Sequence, residues 1–197
     1  MSFSFAVPTS SVIALNPSNQ FEVNVIEQTK KHNGRLTLVG GRVELPRQTH
    51  LDCVFEEWDQ EAGGMAATLD NVSLWAIKTD PYSDVRASTL GKLSHETCLP
   101  EHRDIPVTGH YGAPDHLYLA TVSGIPHPKD GEAKRCFYFD VRNLNITADE
   151  KDSQFGAQQD LILAVYRLFL AGRPVAVDDF VDFVSLRKKL PALLAAL

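Results

Sequence analysis

Two glutamates spaced one helical turn apart are the residues of this sequence best suited to chemistry. Glu57 and Glu61 fall within residues 51–63, where apolar residues recur at helical spacing. At about 100° per residue, their side chains lie about 40° apart, beside the apolar stripe. Two like charges in this arrangement repel each other, whereas a hard cation such as Mg²⁺ prefers oxygen ligands and offsets the repulsion. The spacing therefore indicates a site for a divalent metal.

A helix must hold these glutamates, and its ends are marked in the sequence. Thr49, with Asp52 three residues later, predicts a capping box at the start. Gly63 and Gly64 provide a stop, because glycine adopts left-handed backbone at low cost. The apolar face should pack into the core through Leu51, Val54, Phe55, Trp58 and Ala62.

A double glycine precedes this helix and follows a predicted strand at residues 35–39. Gly40 and Gly41 allow the backbone to approach a ligand or to turn sharply. For either glycine alone, a simple bend from strand to loop explains the residue equally well. Arg42 follows directly and is suited to binding oxyanions.

Together, these residues resemble the signature of the Nudix hydrolases: Gly, five residues, Glu, seven residues, then Arg-Glu-apolar-x-Glu-Glu-x-Gly-apolar. Residues 40–44 match its opening, and residues 57–63 match its end as Glu-apolar-x-Gln-Glu-x-Gly. The resemblance implies that Glu57 and Glu61 hold Mg²⁺ or Mn²⁺, with Gln60 as a neutral third ligand. It also implies catalytic roles for both glutamates in hydrolysing a nucleoside diphosphate linked to another moiety.

Three positions depart from that pattern and keep other hypotheses open. Glu56 stands where the family has Arg, Gln60 replaces a ligand Glu, and Arg47 stands where the first Glu belongs. A second hypothesis is therefore a catalytically silent Nudix module that binds a nucleotide or a protein partner. A third is a structural domain in which the acidic helix is a solvated face.

Residues 79–114 form a long segment with few apolar runs, which is typical of a functional loop. It opens with residues 80–86, which resemble an element of Nudix enzymes acting on ADP-ribose. Arg86, Lys92 and Arg103 of this segment are candidates to bind a diphosphate, although each is individually more typical of a solvated surface charge. Arg42, Arg86 or Arg103 would offset charge on the phosphates. The histidines here, including His116, match no metal-binding spacing and are interpreted as surface residues.

A further acidic residue is implied near residues 130–132, where many Nudix enzymes place a metal ligand or general base. Glu132 is the first candidate for the base. The alternative is that Asp130 and Gly131 form a hairpin turn and that Glu132 is solvated.

Strands are predicted at residues 7–15, 21–27, 35–39, 72–77, 115–123 and 136–141, and late helices at residues 158–171 and 178–190. This order predicts an α/β fold with a mixed sheet between helices. The resemblance implies the same α/β/α sandwich. We expect a Nudix-like domain at residues 1–172 and a helical extension at residues 173–197. Its apolar end should pack back or bury itself in a homodimer.

Composition is ordinary for a soluble globular protein, with 44% hydrophobic and 22% charged residues. A net charge of −6 argues against nucleic acid as a partner. No apolar run approaches the roughly 20 residues that span a bilayer, so no membrane association is expected. Cys53, Cys98 and Cys136 have no zinc-site spacing and are interpreted as reduced thiols of a cytoplasmic protein.

Overall fold

The computed structural model describes residues 8–29, 34–44, 46–63, 66–79, 114–128, 133–144 and 153–155, together with Gly131, Ala164, Ala192 and Ala195. Seven strands occur in these ranges: β1 (Thr9–Asn16), β2 (Asn19–Gln28), β3 (Leu36–Thr37), β4 (Val39–Arg42), β5 (Ala67–Thr79), β6 (Pro114–Gly124) and β7 (Ala133–Asp140). The helix α1 (His50–Trp58) runs directly into a π-helical turn (Asp59–Gly63), and a 3₁₀ turn (Val141–Asn143) follows β7.

The strands form one mixed sheet, in which β1 is central. The order is β3-β2-β1-β6-β5, with β4 also paired to β1 and β7 also paired to β2. The predicted hairpin of β1 and β2 is antiparallel, whereas β1 and β6 are parallel, from Thr9 opposite Asp115 to Leu15 opposite Thr121. The predicted α/β fold with a mixed sheet is therefore confirmed.

Alternating side chains of the sheet supply two hydrophobic cores, one on each face. On β1, Val12 and Ala14 face α1, and Ile13 faces the opposite side. The α1-side core also contains Ile26, Val39, Val54, Trp58, Ala62, Ala67, Leu69, Tyr118, Ala120, Val122 and Ala133. The opposite core contains Val23, Val25, Leu36, Leu38, Trp75, Leu117, Val141, Leu144, Phe155 and Ala164.

Ala164 is helical and fully buried in the core opposite α1. It belongs to the predicted helix at residues 158–171, whose other residues lie outside the described ranges. The predicted helix at residues 178–190 and nearly all of the extension at residues 173–197 also lie outside them. Among the described residues, no helix is long and apolar enough to cross a membrane.

Strand β4 brings the double glycine against β1. Val39 pairs with Val12, Gly40 with Ser11, and Gly41 with Ser10. A Cβ atom at Gly40 would overlap the carbonyl oxygen of Ser10, so only glycine fits this approach. The glycines are therefore held beside the strand that α1 covers.

Candidate functional site

The capping box fixes where α1 begins. The Thr49 hydroxyl accepts a hydrogen bond from the Asp52 backbone N–H at 3.1 Å, and the Asp52 carboxylate accepts one from the Thr49 N–H at 3.0 Å. The hydrogen bond from the Thr49 side chain lowers the pKa of Asp52, followed in effect by the backbone bond. This confirms the predicted start, which in turn decides which side chains of α1 meet the sheet.

The face of α1 that meets the sheet differs from the predicted stripe. Cys53, Val54 and Trp58 are buried. Leu51 and Phe55, which were predicted to pack into the core, are 39% and 44% exposed. The buried stripe is rotated toward Cys53 and the glutamates, so large apolar side chains face solvent while carboxylates turn inward. That pattern opposes ordinary solvation preferences.

The helical segment extends to Gly63 as predicted, but its geometry changes from α-helical to π-helical at Asp59. A π-helical turn extends from Asp59 to Gly63 and buries three consecutive residues, Glu61, Ala62 and Gly63. The Trp58 indole packs against Gly63 and donates to the Ala67 carbonyl at 3.1 Å. Isolated π turns are uncommon and are enriched at functional sites. Here the turn directs the carboxylate of Glu61 toward the sheet.

The two glutamates converge on the double glycine. The Glu57 carboxylate lies against Gly41, in the space that a Cβ atom there would fill. Oε2 of Glu61 accepts a hydrogen bond from the Gly40 backbone N–H at 3.3 Å, and Glu61 is only 4% exposed. Glu57 is half-buried. Two carboxylates are therefore gathered at the edge of the α1-side core, as the sequence predicted.

Gln60, the implied third ligand, does not join this pair. It is exposed, and its amide donates to Oε1 of Glu56 at 3.3 Å. Gln48 donates to Oε2 of Glu56 at 2.7 Å and accepts from the Glu44 backbone N–H at 2.9 Å. Glu56 thus ties the loop before α1 to the outer face of the helix. The side chain of Gln60 belongs to this outer network in the structure.

Arg42 lies at the exposed end of β4, one residue beyond Gly41. Its carbonyl accepts a hydrogen bond from the Cys53 thiol at 3.5 Å, which links β4 to the first turns of α1. Arg86, Arg103 and Glu132, as well as the implied ADP-ribose element at residues 80–86, lie outside the described residues.

The pair of glutamates fits a divalent cation, and Gly41 provides the observation that tests the fit. The missing Cβ atom leaves room for a carboxylate beside an accessible backbone. Mg²⁺ commonly binds through one or two carboxylates together with water and substrate phosphates. Within the described part of the chain, no group of three or more His, Cys, Asp or Glu side chains forms a metal site. A cation here would thus depend on Glu57, Glu61 and oxygen atoms outside these side-chain types.

A cluster that sequence analysis missed lies where α1 begins. Oγ of Ser10 and Nδ1 of His50 are 2.8 Å apart, and the rings of His50 and His116 are stacked with centroids 3.5 Å apart. Ser10 is fully buried and lies between Gly41 and His116 across the sheet. His116 is therefore partly buried at the start of α1. These residues are far apart in sequence, so no local spacing could have revealed the cluster.

A second polar group lies on the α1 face of β2, β3 and β7. The Cys136 thiol donates to Oδ1 of Asn24 at 3.1 Å. Burial raises the pKa of Cys136 to about 11, with a smaller contribution from the negative charge of Glu61 and an opposing one from the Asn24 hydrogen bond. Within the described residues, neither Cys53 nor Cys136 forms a disulfide bond, and Cys98 lies outside these residues.

Comparison with known proteins gives matches in structure and none in sequence. No known family matches the chain, and no curated protein is significantly similar to it. A Nudix hydrolase from Nitrosomonas europaea superposes with a TM-score of 0.52 at 16% identity, covering 89% of this chain and 78% of that one. A UDP-X diphosphatase superposes with a TM-score of 0.50 at 10% identity, covering 92% and 70%. The chain therefore has the fold of the Nudix hydrolases.

Proposed function

We propose that this protein is a Nudix-type, divalent-metal-dependent hydrolase of a nucleoside diphosphate linked to another moiety. The observation that carries the proposal is the convergence of Glu57 and Glu61 on the backbone of Gly40 and Gly41. Two carboxylates at the edge of a core repel each other unless a cation lies between them. The inward turn of both residues, while Leu51 and Phe55 stay exposed, supports a binding role for this face.

Glu57 and Glu61 are the residues that would hold Mg²⁺ or Mn²⁺. When bound, the cation would polarise the pyrophosphate and activate a water molecule for attack. The backbone N–H of Gly40 orients the carboxylate of Glu61, and the bare backbone of Gly41 leaves space for that of Glu57. Gln60 keeps its proposed role as a weaker, neutral ligand through its carbonyl oxygen, because only its amide nitrogen is engaged with Glu56.

The proposed reaction hydrolyses the P–O–P bridge of the diphosphate. The water oxygen forms a bond to one phosphorus, the bridging P–O bond breaks, and two phosphate monoesters leave. Arg42 supplies positive charge at the rim, and Arg86 and Arg103 retain their proposed roles on the phosphates. Glu132 is the proposed base that accepts the proton from water.

An ADP-ribose-like compound is the first candidate substrate, because residues 80–86 resemble the element of Nudix enzymes acting on ADP-ribose. One structure that shares this fold is a UDP-X diphosphatase, so UDP derivatives belong to the same test. Both candidates contain the same reacting group, a diphosphate between a nucleoside and a second moiety.

The second candidate function is a silent module that binds such a compound without cleaving it. The observation that favours it is the outer network of Gln48, Glu56 and Gln60. These side chains brace the loop before α1 and leave the metal site with two charged ligands. A weaker cation affinity would then support binding but not turnover.

Incubation with ADP-ribose and UDP-glucose, each with Mg²⁺ or Mn²⁺, separates the two functions. The hydrolase hypothesis predicts release of AMP or UMP, which is abolished in Glu57→Gln and retained in Asp59→Asn, whose exposed carboxylate lies on the same helical segment. Binding of either compound with no monophosphate formed would favour the silent module.

A further inference from the structure

Two buried hydrogen-bond donor atoms of the sheet lack partners among the described residues. Nδ2 of Asn24 and Oγ1 of Thr37 are both covered and make no hydrogen bond to any described group. Asn24 is 1% exposed and Thr37 is 4% exposed. Leaving buried donors unpaired costs free energy, so such groups are usually satisfied or are reserved for another role.

The sheet brings these two donors to one face. Thr37 on β3 lies directly opposite Ile26 on β2, and Asn24 is two residues from Ile26 on the same strand. Residues two apart on a strand, and residues directly opposite each other, share a face. Ile26 belongs to the α1-side core, so Asn24 and Thr37 also face α1.

Cys136 orients one of the donors. It lies opposite Ile26 on β7, and its thiol donates to Oδ1 of Asn24. With the carbonyl end of the amide engaged in this way, Nδ2 is the end left over. The π-helical turn that carries Glu61 contacts β7, and the charge of Glu61 acts on the Cys136 thiol. The Asn24 amide is therefore linked through Cys136 to the turn that carries Glu61, and Thr37 shares its face of the sheet.

We propose that the Asn24 amide and the Thr37 hydroxyl form a subsite for an uncharged hydrogen-bond acceptor of the substrate, an oxygen or nitrogen of its nucleobase or sugar. This inference rests on the proposed function, because it assigns a specificity role beside the same carboxylates. Both donors are neutral, and the adjacent Glu61 carboxylate disfavours a phosphate. The cations of β7, Lys134 and Arg135, are paired with Glu27. Both donors are covered in this structure, so the proposed binding requires displacement of the atoms that cover them.

Nearly isosteric variants test the subsite. Thr37→Val and Asn24→Leu remove the donors and keep most of the side-chain volume. Binding of ADP-ribose and of inorganic pyrophosphate, which lacks a nucleobase and a sugar, is measured by calorimetry with Mn²⁺. We expect ADP-ribose affinity to fall at least tenfold in each variant and pyrophosphate affinity to stay within twofold. Thr68→Val, an exposed threonine of β5, is the matched control and should change neither.

Thermal unfolding without ligand gives a second measure. Thr37→Val should melt at the same temperature as the wild type or higher, because a methyl group replaces an unpaired hydroxyl. A lower melting temperature would assign Thr37 a structural partner and overturn the proposal. Unchanged ADP-ribose affinity in both variants, as expected if the donors hold internal water alone, or equal loss of pyrophosphate affinity, would overturn it as well.

The test of the subsite can fail or succeed independently of the test of the hydrolase hypothesis. If the wild type binds ADP-ribose without cleaving it, the hydrolase hypothesis fails, and the affinities of the variants still decide the subsite. If the wild type cleaves ADP-ribose and neither variant changes its binding, the subsite fails and the hydrolase stands.

Discussion

The Glu57 carboxylate packs directly on the backbone of Gly41, where a side chain at position 41 would otherwise lie. We predict that Gly41→Ala displaces this carboxylate and weakens the response to metal. The end of a glutamate side chain moves easily, so the metal-free protein should lose little stability. Thermal unfolding with and without Mn²⁺ measures the effect, and we expect at least half of the Mn²⁺-induced shift to disappear.

A double-mutant cycle supplies the control for Gly41→Ala. In a Glu57→Ala background, the added methyl group meets no carboxylate, so Gly41→Ala should then have no further effect on the melting temperature of the metal-free protein. If the methyl group instead acts by distorting β4, its effect persists in that background and contradicts the contact as the cause.

The π-helical turn depends on the close approach of Gly63 to the Trp58 indole. Gly63→Ala should be destabilising, because its Cβ atom would overlap the ring edge that donates to Ala67. Overpacking of this kind costs about 1–3 kcal/mol. Urea unfolding measures the change, and an exposed site of the same turn, Gln60→Ala, serves as the control. A Gly63→Ala variant as stable as the wild type would show that the indole has room to move.

The buried thiol of Cys136 predicts a pH dependence. Its pKa is raised to about 11, whereas an unfolded thiol titrates near 8.5. The folded state therefore retains the proton to higher pH. The resulting stabilisation is complete below about pH 8.5 and is lost as the pH rises toward the folded value.

Alkylation by iodoacetamide checks this prediction in a Cys53→Ala, Cys98→Ala background. At pH 8.5 the folded protein should react much more slowly than the urea-unfolded protein. Glu61→Gln should speed the reaction, because removing the negative charge lowers the pKa of Cys136. Equal rates in the folded and unfolded states would contradict the burial of this thiol.

Local patterns explain which parts of the site could be predicted from sequence. The capping box involves residues three apart, and Glu57 and Glu61 lie within a single segment. Both features could therefore be predicted from the sequence. The orientation of α1 could not be predicted in this way. The pattern of apolar residues predicted that Leu51 and Phe55 pack into the core, whereas in the structure the glutamates turn toward the sheet. The π turn also has no signature in residue type alone.

The parts of the site that could not be predicted depend on contacts between residues far apart in sequence. Ser10 meets His50 across 40 positions, and Cys136 meets Asn24 across 112. The parallel pairing of β1 with β6 places Ser10 beside His116, and periodicity within either strand does not specify that register. The alternating strands and the order of elements were enough to predict the mixed sheet, because they reflect local burial.

Direct titration of the metal-free protein with Mn²⁺ by calorimetry tests the central claim, that Glu57 and Glu61 together bind a divalent cation. We predict one saturable site in the wild type, with affinity at least tenfold lower in Glu57→Gln and in Glu61→Gln and unchanged in Asp59→Asn. Wild-type protein that binds no Mn²⁺, or either glutamine variant that binds it as tightly as the wild type, would contradict the claim.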